Sequence, residues 1–448
     1  MDLIKLPPQV QAALDILNQA GHTAYAVGGC VRDALRGVSP HDWDLTTSAL
    51  PQEMQACFTG YHVIETGLQH GTLTVVIDGM PLEITTYRID GTYTDNRRPD
   101  SVTFTVHLRD DLSRRDFTVN AMAYHPQEGI VDLFGGAEDL RIGQIACVGK
   151  AQERFSEDGL RILRALRFSS VLDFSIAEET AAAIHLQKGL LRGISAERIF
   201  AELTKLICGV GAARILREYA DVLFEILPEL RPMYGFDQQN PHHDYDVYEH
   251  TLRVLEAVPS EPILRYSALL HDAGKPATFT KDQRGGHFYG HAKISVEIAR
   301  QTMLRLKSDR KTMDAVLELT EHHDVVFVKP ERNIRRMVNR MGFEQTRRLL
   351  ELHRADVTGQ AEQHRAERIA ESEKMLAFLD ELEQADECLT LKKLAVNGQD
   401  MMAVGVPQGR AVGVMLQSLL ERVMDGELPN TREELLAAVR KETDQEVR

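Results

Sequence analysis

The stretch VGGCVRDALRG at residues 27–37, followed by HDWDLTTSALP at residues 41–51, decides how the first third of this chain is read. The apolar run 25–27 predicts a strand ending in the tight turn Gly28-Gly29, and residues 31–35 predict a short helix carrying Arg32. A second strand over 43–46 follows, with Asp42 and Asp44 flanking Trp43. Alternation along an extended chain turns both carboxylates to one face, close enough to share metal ions. Oxygen ligands of this kind suit magnesium (Mg2+), and a pair of ions activates an attacking hydroxyl while steadying a leaving pyrophosphate. Glu83, on a strand read over 82–87, is the candidate third carboxylate. The Gly28-Gly29 turn and the helix start after it offer backbone amides as a cradle for a triphosphate, to which Arg32 adds a charged fork. Alone, an Asp-x-Asp is usually a surface pair and a Gly-Gly a plain turn; it is their adjacency that points to chemistry. The turn lacks the GxGxxG spacing of a dinucleotide fold and the trailing lysine of a P-loop.

Outward from that core, residues 8–20 carry helical periodicity and 51–58 a second helix opened by Pro51. Strands are expected over 61–65, 71–77 and 82–87, with Asp78-Gly79 as the hairpin turn between the last two. Residues 90–100 hold turn formers and charge without periodicity and read as a loop. Beyond Ala151 the strand signals fade, and helical spacing persists through 160–168, 177–184 and 196–206. A Pro-, Gly-, Asn- and His-rich break at 231–243 separates two helical regions, an acidic helix covers 361–387, and a turn-rich stretch at 397–410 introduces a last helical unit. The fold class is therefore an α/β head followed by all-α segments, divided as 1–150, 151–230, 231–370 and 371–448.

At 448 residues, 43% hydrophobic and 27% charged, the chain has the composition of a soluble protein of two to four domains. It shows no membrane span and no secretory leader. Its five cysteines are odd in number, scattered and without a CxxC pair, which excludes a zinc ribbon and a disulfide framework and places the chain in the reducing cytoplasm. The formal net charge of −15 opposes a broad nucleic-acid surface. Basic runs exist nonetheless: Arg97-Arg98, the trio Arg161, Arg164 and Arg167, and Lys329, Arg332, Arg335, Arg336, Arg340, Arg347 and Arg348. The last run reads equally as a phosphate-binding helix face or as a solvated one.

The two opening blocks resemble the signature of polymerase-β-like nucleotidyltransferases, in the class of CCA-adding tRNA nucleotidyltransferases and bacterial poly(A) polymerases. RRDFTVNAMAY at 114–124, DLFGGAEDL at 132–140, EDGLRILRALRF at 157–168 and, more weakly, ISAERIFAEL at 194–203 follow in the order of that class. The resemblance spans about residues 20–230. It implies template-independent addition of CCA to the 3′ end of tRNA from CTP and ATP, with Arg115 and Asp116 near the ribose of the bound nucleotide and Asn120 supporting that pocket. Glu157, Asp158, Arg161 and Arg164 belong to its base-selecting region. Asp158 and Arg161, three apart on one predicted helix, place a carboxylate acceptor and a planar donor fork on one face, where they can pair with base edges. The family counterpart of the 90–100 loop serves the switch from cytidine to adenosine, which argues against CC addition alone. An A-adding tRNA enzyme or a poly(A) polymerase is the nearest alternative.

His250, the His271-Asp272 pair within LLHDAGKP at 269–276, and Asp356 resemble the metal-binding motif of HD-domain phosphohydrolases over about residues 235–360. His291, His322 and His323 occupy the order in which two-metal versions place further ligands. The mixed nitrogen and oxygen set suits a divalent transition metal or magnesium, and Lys275 stands near enough in sequence to contact a phosphate. Hydrolysis there would act on phosphomonoesters or cyclic phosphates, as at a damaged tRNA end. A reading of another class follows: an HD nucleotide or RNA hydrolase whose head only binds nucleotide. Residues 390–443 resemble the C-terminal segment of related tRNA enzymes, with a role in acceptor binding or packing.

Overall fold

Strand alternation sorts the first third of the chain into an apolar face and a polar one. The structure, a computed structural model, describes residues 4–91, 101–239, 244–283, 285–360, 362 and 365–446. It opens with the helix Pro8–Gln19, whose Val10, Ala13, Leu14 and Leu17 recur at helical spacing and are buried. The strands are β1 (Ala24–Val27), β2 (Asp44–Thr47), β3 (His62–Gly67), β4 (Thr72–Ile77), β5 (Met80–Thr86), β6 (Arg88–Asp90), β7 (Val102–Phe104), β8 (Met122–His125) and β9 (Gly129–Asp132). Seven of them form one sheet in the order β3-β4-β5-β2-β1-β8-β9. β2 and β5 run parallel, and every other neighbouring pair is antiparallel.

On one face Ala24, Ala26, Leu45, Leu73, Val75, Leu82 and Ile84 join residues of the helices Pro8–Gln19, Gly29–Leu35 and Pro51–Cys57 in a single core. A fully buried leucine there contributes roughly 1.5–3 kcal/mol. The register thus fixed turns the alternate residues Asp44, Thr46, Glu83 and Thr85 to the opposite face. β4 and β5 are joined at Asp78 and Gly79, both at positive φ (46° and 81°), as the Asp-Gly pair predicts for a two-residue hairpin turn. The antiparallel β6 and β7 bracket residues 92–100, so most of the expected 90–100 loop, Arg97 and Arg98 included, lies outside the described residues.

The rest is mainly helical. Two small strand pairs interrupt it, Gln144–Ile145 with Ser175–Ile176 and Thr280–Asp282 with Gly285–His287, both too short to leave a period-two pattern in the sequence. The chain divides into two compact units, Met1–Pro228 with Arg305–Lys307, and Glu229–Leu304 with Ser308–Arg448. In the second, Asp246 and Asp309 cap the helices Val247–Ala257 and Arg310–His322 by accepting from the amides of Glu249 and Thr312. The long helix Pro330–Thr358 breaks at Gly342, whose φ is 81°. No helix among the described residues is long and apolar enough to cross a membrane.

Much of the basic run of the second unit is engaged by acidic side chains of the same unit. Arg332 and Arg336 pair with Asp425, Arg335 with Glu387, Arg347 with Asp380 and Glu383, and Arg348 with Glu261. Acidic side chains brought from distant positions answer these guanidiniums, and charge runs read along the sequence alone cannot show that.

Candidate active site and metal centre

Parallel pairing of β2 with β5 sets Asp44 directly opposite Glu83 on the face away from the helices. Neighbouring strands lie about 4.8 Å apart, so the backbone itself holds the two carboxylates together. Asp42 sits just ahead of β2, exposed like Asp44, and Trp43 between them is 4% exposed within the helical-face core. That buried indole sets the phase that turns its neighbours outward. Although its side chain reaches solvent, desolvation by the protein packed around Asp44, and then Glu83, push its carboxyl above the usual range; Arg115 opposes this and Asp42 adds to it. Such surplus negative charge, borne on oxygen donors, fits magnesium, which keeps water and phosphate oxygens in its shell. The arrangement is open: the described groups of three or more ligand atoms within 4.8 Å of one another are in the second unit.

Gly28 ends β1 at a φ of 84°, and its amide donates to the Met122 carbonyl. The positive φ requires glycine, and a Cβ there would come within 2.9 Å of Arg115 Nη1 and displace that guanidinium. Gly29 then opens the helix Gly29–Leu35. Arg32, the expected phosphate fork, is anchored by its neighbours. Its guanidinium is buried, donating to both Asp33 oxygens at 2.9 Å and to Asn120 Oδ1 at 2.6 Å. Two guanidiniums stand beside the glycine turn, Arg32 at Gly29 and Arg115 at Gly28. Asp111, a residue missed in the sequence, holds Arg115 in place: this fully buried carboxylate lies 3.4 Å from its guanidinium, accepts from Arg114 at 2.7 Å and from the Thr46 hydroxyl at 3.1 Å. Burial alone would raise its carboxyl; Arg114 and Arg115 overcome this and lower it. The signal was present as the i, i+3 and i, i+4 spacing of Asp111 to the two arginines.

Asp116 is buried and fully engaged. Arg164 donates to Oδ2 twice, at 2.9 and 2.5 Å, while the Phe117 amide and the Asn120 side chain donate to Oδ1. Burial pushes this carboxyl up, but Arg164 outweighs it and brings the pKa down to about 2. Phe168, also unanticipated, lies beneath Arg32, Arg164 and Arg167, with guanidinium carbons 5.3, 5.5 and 3.6 Å from its ring centre.

Asp158 and Arg161 do not share a helix. One helix ends at Glu157, Asp158 is extended (φ −139°), and the next begins at Leu160. The Asp158 carboxylate accepts from the Leu160 amide at 3.0 Å and from Arg198 at 2.7 Å, with Arg198 supplied by the weak fifth block. Asp-Gly favours a turn over helix continuation, and here it outweighs the apolar periodicity on either side. Arg161 bonds Glu157 at 2.5 Å and the Arg114 carbonyl at 2.9 Å, which ties this region to the 114–124 block.

In the second unit His250, His271, Asp272 and Asp356 bring four ligand atoms together, and Asp272 also joins His291 and His323 in an adjoining group. Each of the four imidazoles donates its Nδ1 proton to a backbone carbonyl: His250 to Gly359, His271 to Ala268, His291 to Phe288 and His323 to Thr320, at 2.7–3.0 Å. These bonds fix the tautomer and aim every Nε2 inward, as metal-bound histidines are held. His291 Nε2 and His323 Nε2 face each other at 3.1 Å, with Asp272 Oδ1 3.4 and 3.6 Å away. Two inward lone pairs at that distance repel unless a proton or a cation lies between them. His271 Nε2 is buried without a hydrogen-bond partner among the described residues. The donor set therefore fits one or two divalent transition metals, the first of which His250, His271, Asp272 and Asp356 would hold and the second Asp272, His291 and His323. His322 lies outside the cluster, and Lys275 is committed to Asp272 at 2.7 Å and Gln238 at 3.0 Å.

Family models match the chain in three stretches: a poly A polymerase head domain over residues 24–146, a probable RNA and SrmB-binding site of polymerase A over 173–233, and a putative tRNA nucleotidyltransferase domain 2 over 287–439. A CCA-adding enzyme of Latilactobacillus sakei is 36% identical over 98% of this chain and 100% of its own length. Another, of Levilactobacillus brevis, is 33% identical over 98% and 100%. Among solved structures, that of the Bacillus stearothermophilus CCA-adding enzyme in complex with CTP superposes with a TM-score of 0.73 at 30% identity, covering 98% of this chain and 99% of that one. Matched from end to end by relatives of one kind, and carrying the paired carboxylates and glycine turn in their expected places, the chain belongs to the CCA-adding enzyme family.

Proposed function

We propose that the protein adds cytidine and adenosine to the 3′ end of tRNA, from CTP and ATP and without a nucleic-acid template, and that it does so in the cytoplasm. The observation that carries this reading is the in-register pairing of Asp44 with Glu83 beside the Gly28–Arg115 turn, in a chain whose full-length relatives are CCA-adding enzymes. Asp42, Asp44 and Glu83 would hold the magnesium. When bound, magnesium supplies charge for the triphosphate and acidifies the terminal tRNA hydroxyl. Arg32 meets the phosphates at the glycine turn; Arg115, set by Asp111, with Asp116 and Asn120 orients the ribose; Asp158 and Arg161, held by Arg198 and Glu157, present the acceptor and donors that select the base. We keep the division into head (1–150), neck (151–230), HD-like region (231–370) and tail (371–448), with acceptor binding assigned to neck and tail. Purified protein given tRNA lacking its terminal CCA should incorporate CMP and AMP and stop after three nucleotides. Long adenosine tracts would instead identify a poly(A) polymerase, and AMP alone an A-adding enzyme.

A second reading is favoured by the inward-facing imidazoles: the cluster of the second unit binds a divalent transition metal and hydrolyses phosphate esters. Calorimetric titration with Mn2+ should show one or two sites. Asp272→Asn, which changes the carboxylate common to both ligand groups, should weaken binding by 100-fold or more, beyond the roughly 10–100-fold of an outer-shell change. Unchanged binding in that variant would place the metal elsewhere.

A further inference from the structure

A cavity of about 740 Å³, within the range of small-molecule sites, opens beside the metal cluster, and His323 and Asp356 form part of its wall. Its walls are graded. At the cluster end Gln360 donates to Asp356 Oδ2 at 2.6 Å and is itself held by the Arg368 guanidinium, so that a cation stands one amide away from a metal ligand. Away from it lie Phe327, edge-on to the half-buried His353 ring at 5.4 Å between centres, and Phe378, whose ring carries the Arg335 guanidinium 5.0 Å from its centre. The rim is unsuited to nucleic acid. Val326 and Val328 are 75% and 81% exposed, and Asp324, Glu331 and Glu371 outnumber the rim cation Lys374. A polynucleotide end brings successive phosphates, which need lysine and arginine around them.

Resting on the metal-binding reading above, we infer that this centre acts on a small phosphomonoester with a planar aromatic leaving group, the ring lodged against Phe327 and the phosphate held at the cluster beside Arg368. The reaction is hydrolysis. A water oxygen forms a bond to phosphorus as the ester P–O bond breaks, and a water proton passes to the departing alcohol oxygen. The damaged tRNA end named as a substrate from the sequence would not enter such a site.

The test uses the full chain with Mn2+ and three non-reacting or competing probes: phenylphosphonate, methylphosphonate and an RNA oligonucleotide ending in a 3′-phosphate. Calorimetry should give phenylphosphonate at least about tenfold tighter binding than methylphosphonate, the scale of discrimination that apolar pockets reach. Phe327→Ala should remove that difference while leaving methylphosphonate binding unchanged, and Arg368→Gln should weaken both. Thermal melts check that each variant is folded, and the comparison of probes on the unmodified protein stands without any variant. Equal affinity for the two phosphonates, or RNA displacing phenylphosphonate more strongly than methylphosphonate does, overturns the inference while leaving metal binding intact. Failure of Mn2+ to bind overturns both.

Discussion

Asp44→Asn should lower nucleotide incorporation into truncated tRNA by about a thousandfold or more, because the several kcal/mol of charge stabilisation that an Asp44-held ion gives the transition state is lost with its ligand. The same substitution should leave the metal-free head as stable as before or slightly more so. The Asp44 carboxyl is raised above its ordinary 3.8 by desolvation and by Glu83. A group with a raised folded pKa keeps its proton longer in the native state than in the unfolded chain. Stability therefore falls as pH climbs from 3.8 through the folded value, and at neutral pH the full cost remains. Asparagine removes that cost. Magnesium should raise the melting temperature of the unmodified protein and have a smaller effect on the variant. Retention of activity within tenfold would remove Asp44 from the metal site, and a large loss of stability would make it a folding residue instead.

The head was legible because its determinants are local. Period-two alternation, the Asp-Gly turn and the Gly28-Gly29 break each depend on neighbours in sequence, and together they placed Asp44 and Glu83 on strands whose phase puts both on one face. What local reading could not supply was which charges would meet. Asp111 reaches Thr46 from 65 positions away, and Arg198 reaches Asp158 from 40. Neither partnership leaves a mark on periodicity. Asp158 shows the opposite failure, where a correct local signal, Asp-Gly as a helix breaker, lost to the stronger apolar rhythm around it.

The histidine cluster was readable as a list of residues but not as a geometry. His322 and His323 are adjacent, yet only His323 enters the cluster, because successive residues at a helix end point about 100° apart. The ion pairs of the second unit's arginines were out of reach of the sequence for the same reason as Asp111 was missed. Their partners Asp380, Glu387 and Asp425 come from other helices and loops, and a run of positive charge in sequence became a set of half-exposed ion pairs.

Asp116 gives the second large effect. Asp116 is buried, while its partner Arg164 is one-third exposed and keeps Glu202 at 3.5 Å, so removing the carboxylate costs about 3 kcal/mol, the low end for a buried pair. For a unit of this size that corresponds to a fall in melting temperature of roughly 10 °C. Asp116→Ala should show that loss at neutral pH. In the unmodified protein the same contribution should be complete above 3.8 and drain away as pH falls toward about 2, since the folded pKa is depressed and protonation breaks the pair. Adding Arg164→Met to Asp116→Ala should restore much of the stability, because Glu202 keeps Arg167 at 2.6 Å as its partner. Activity should not return with it. Asn120 has then lost the carboxylate that accepts from its amide, and the ribose pocket has lost its anchor. A double variant that regained both would make Asp116 a structural residue only.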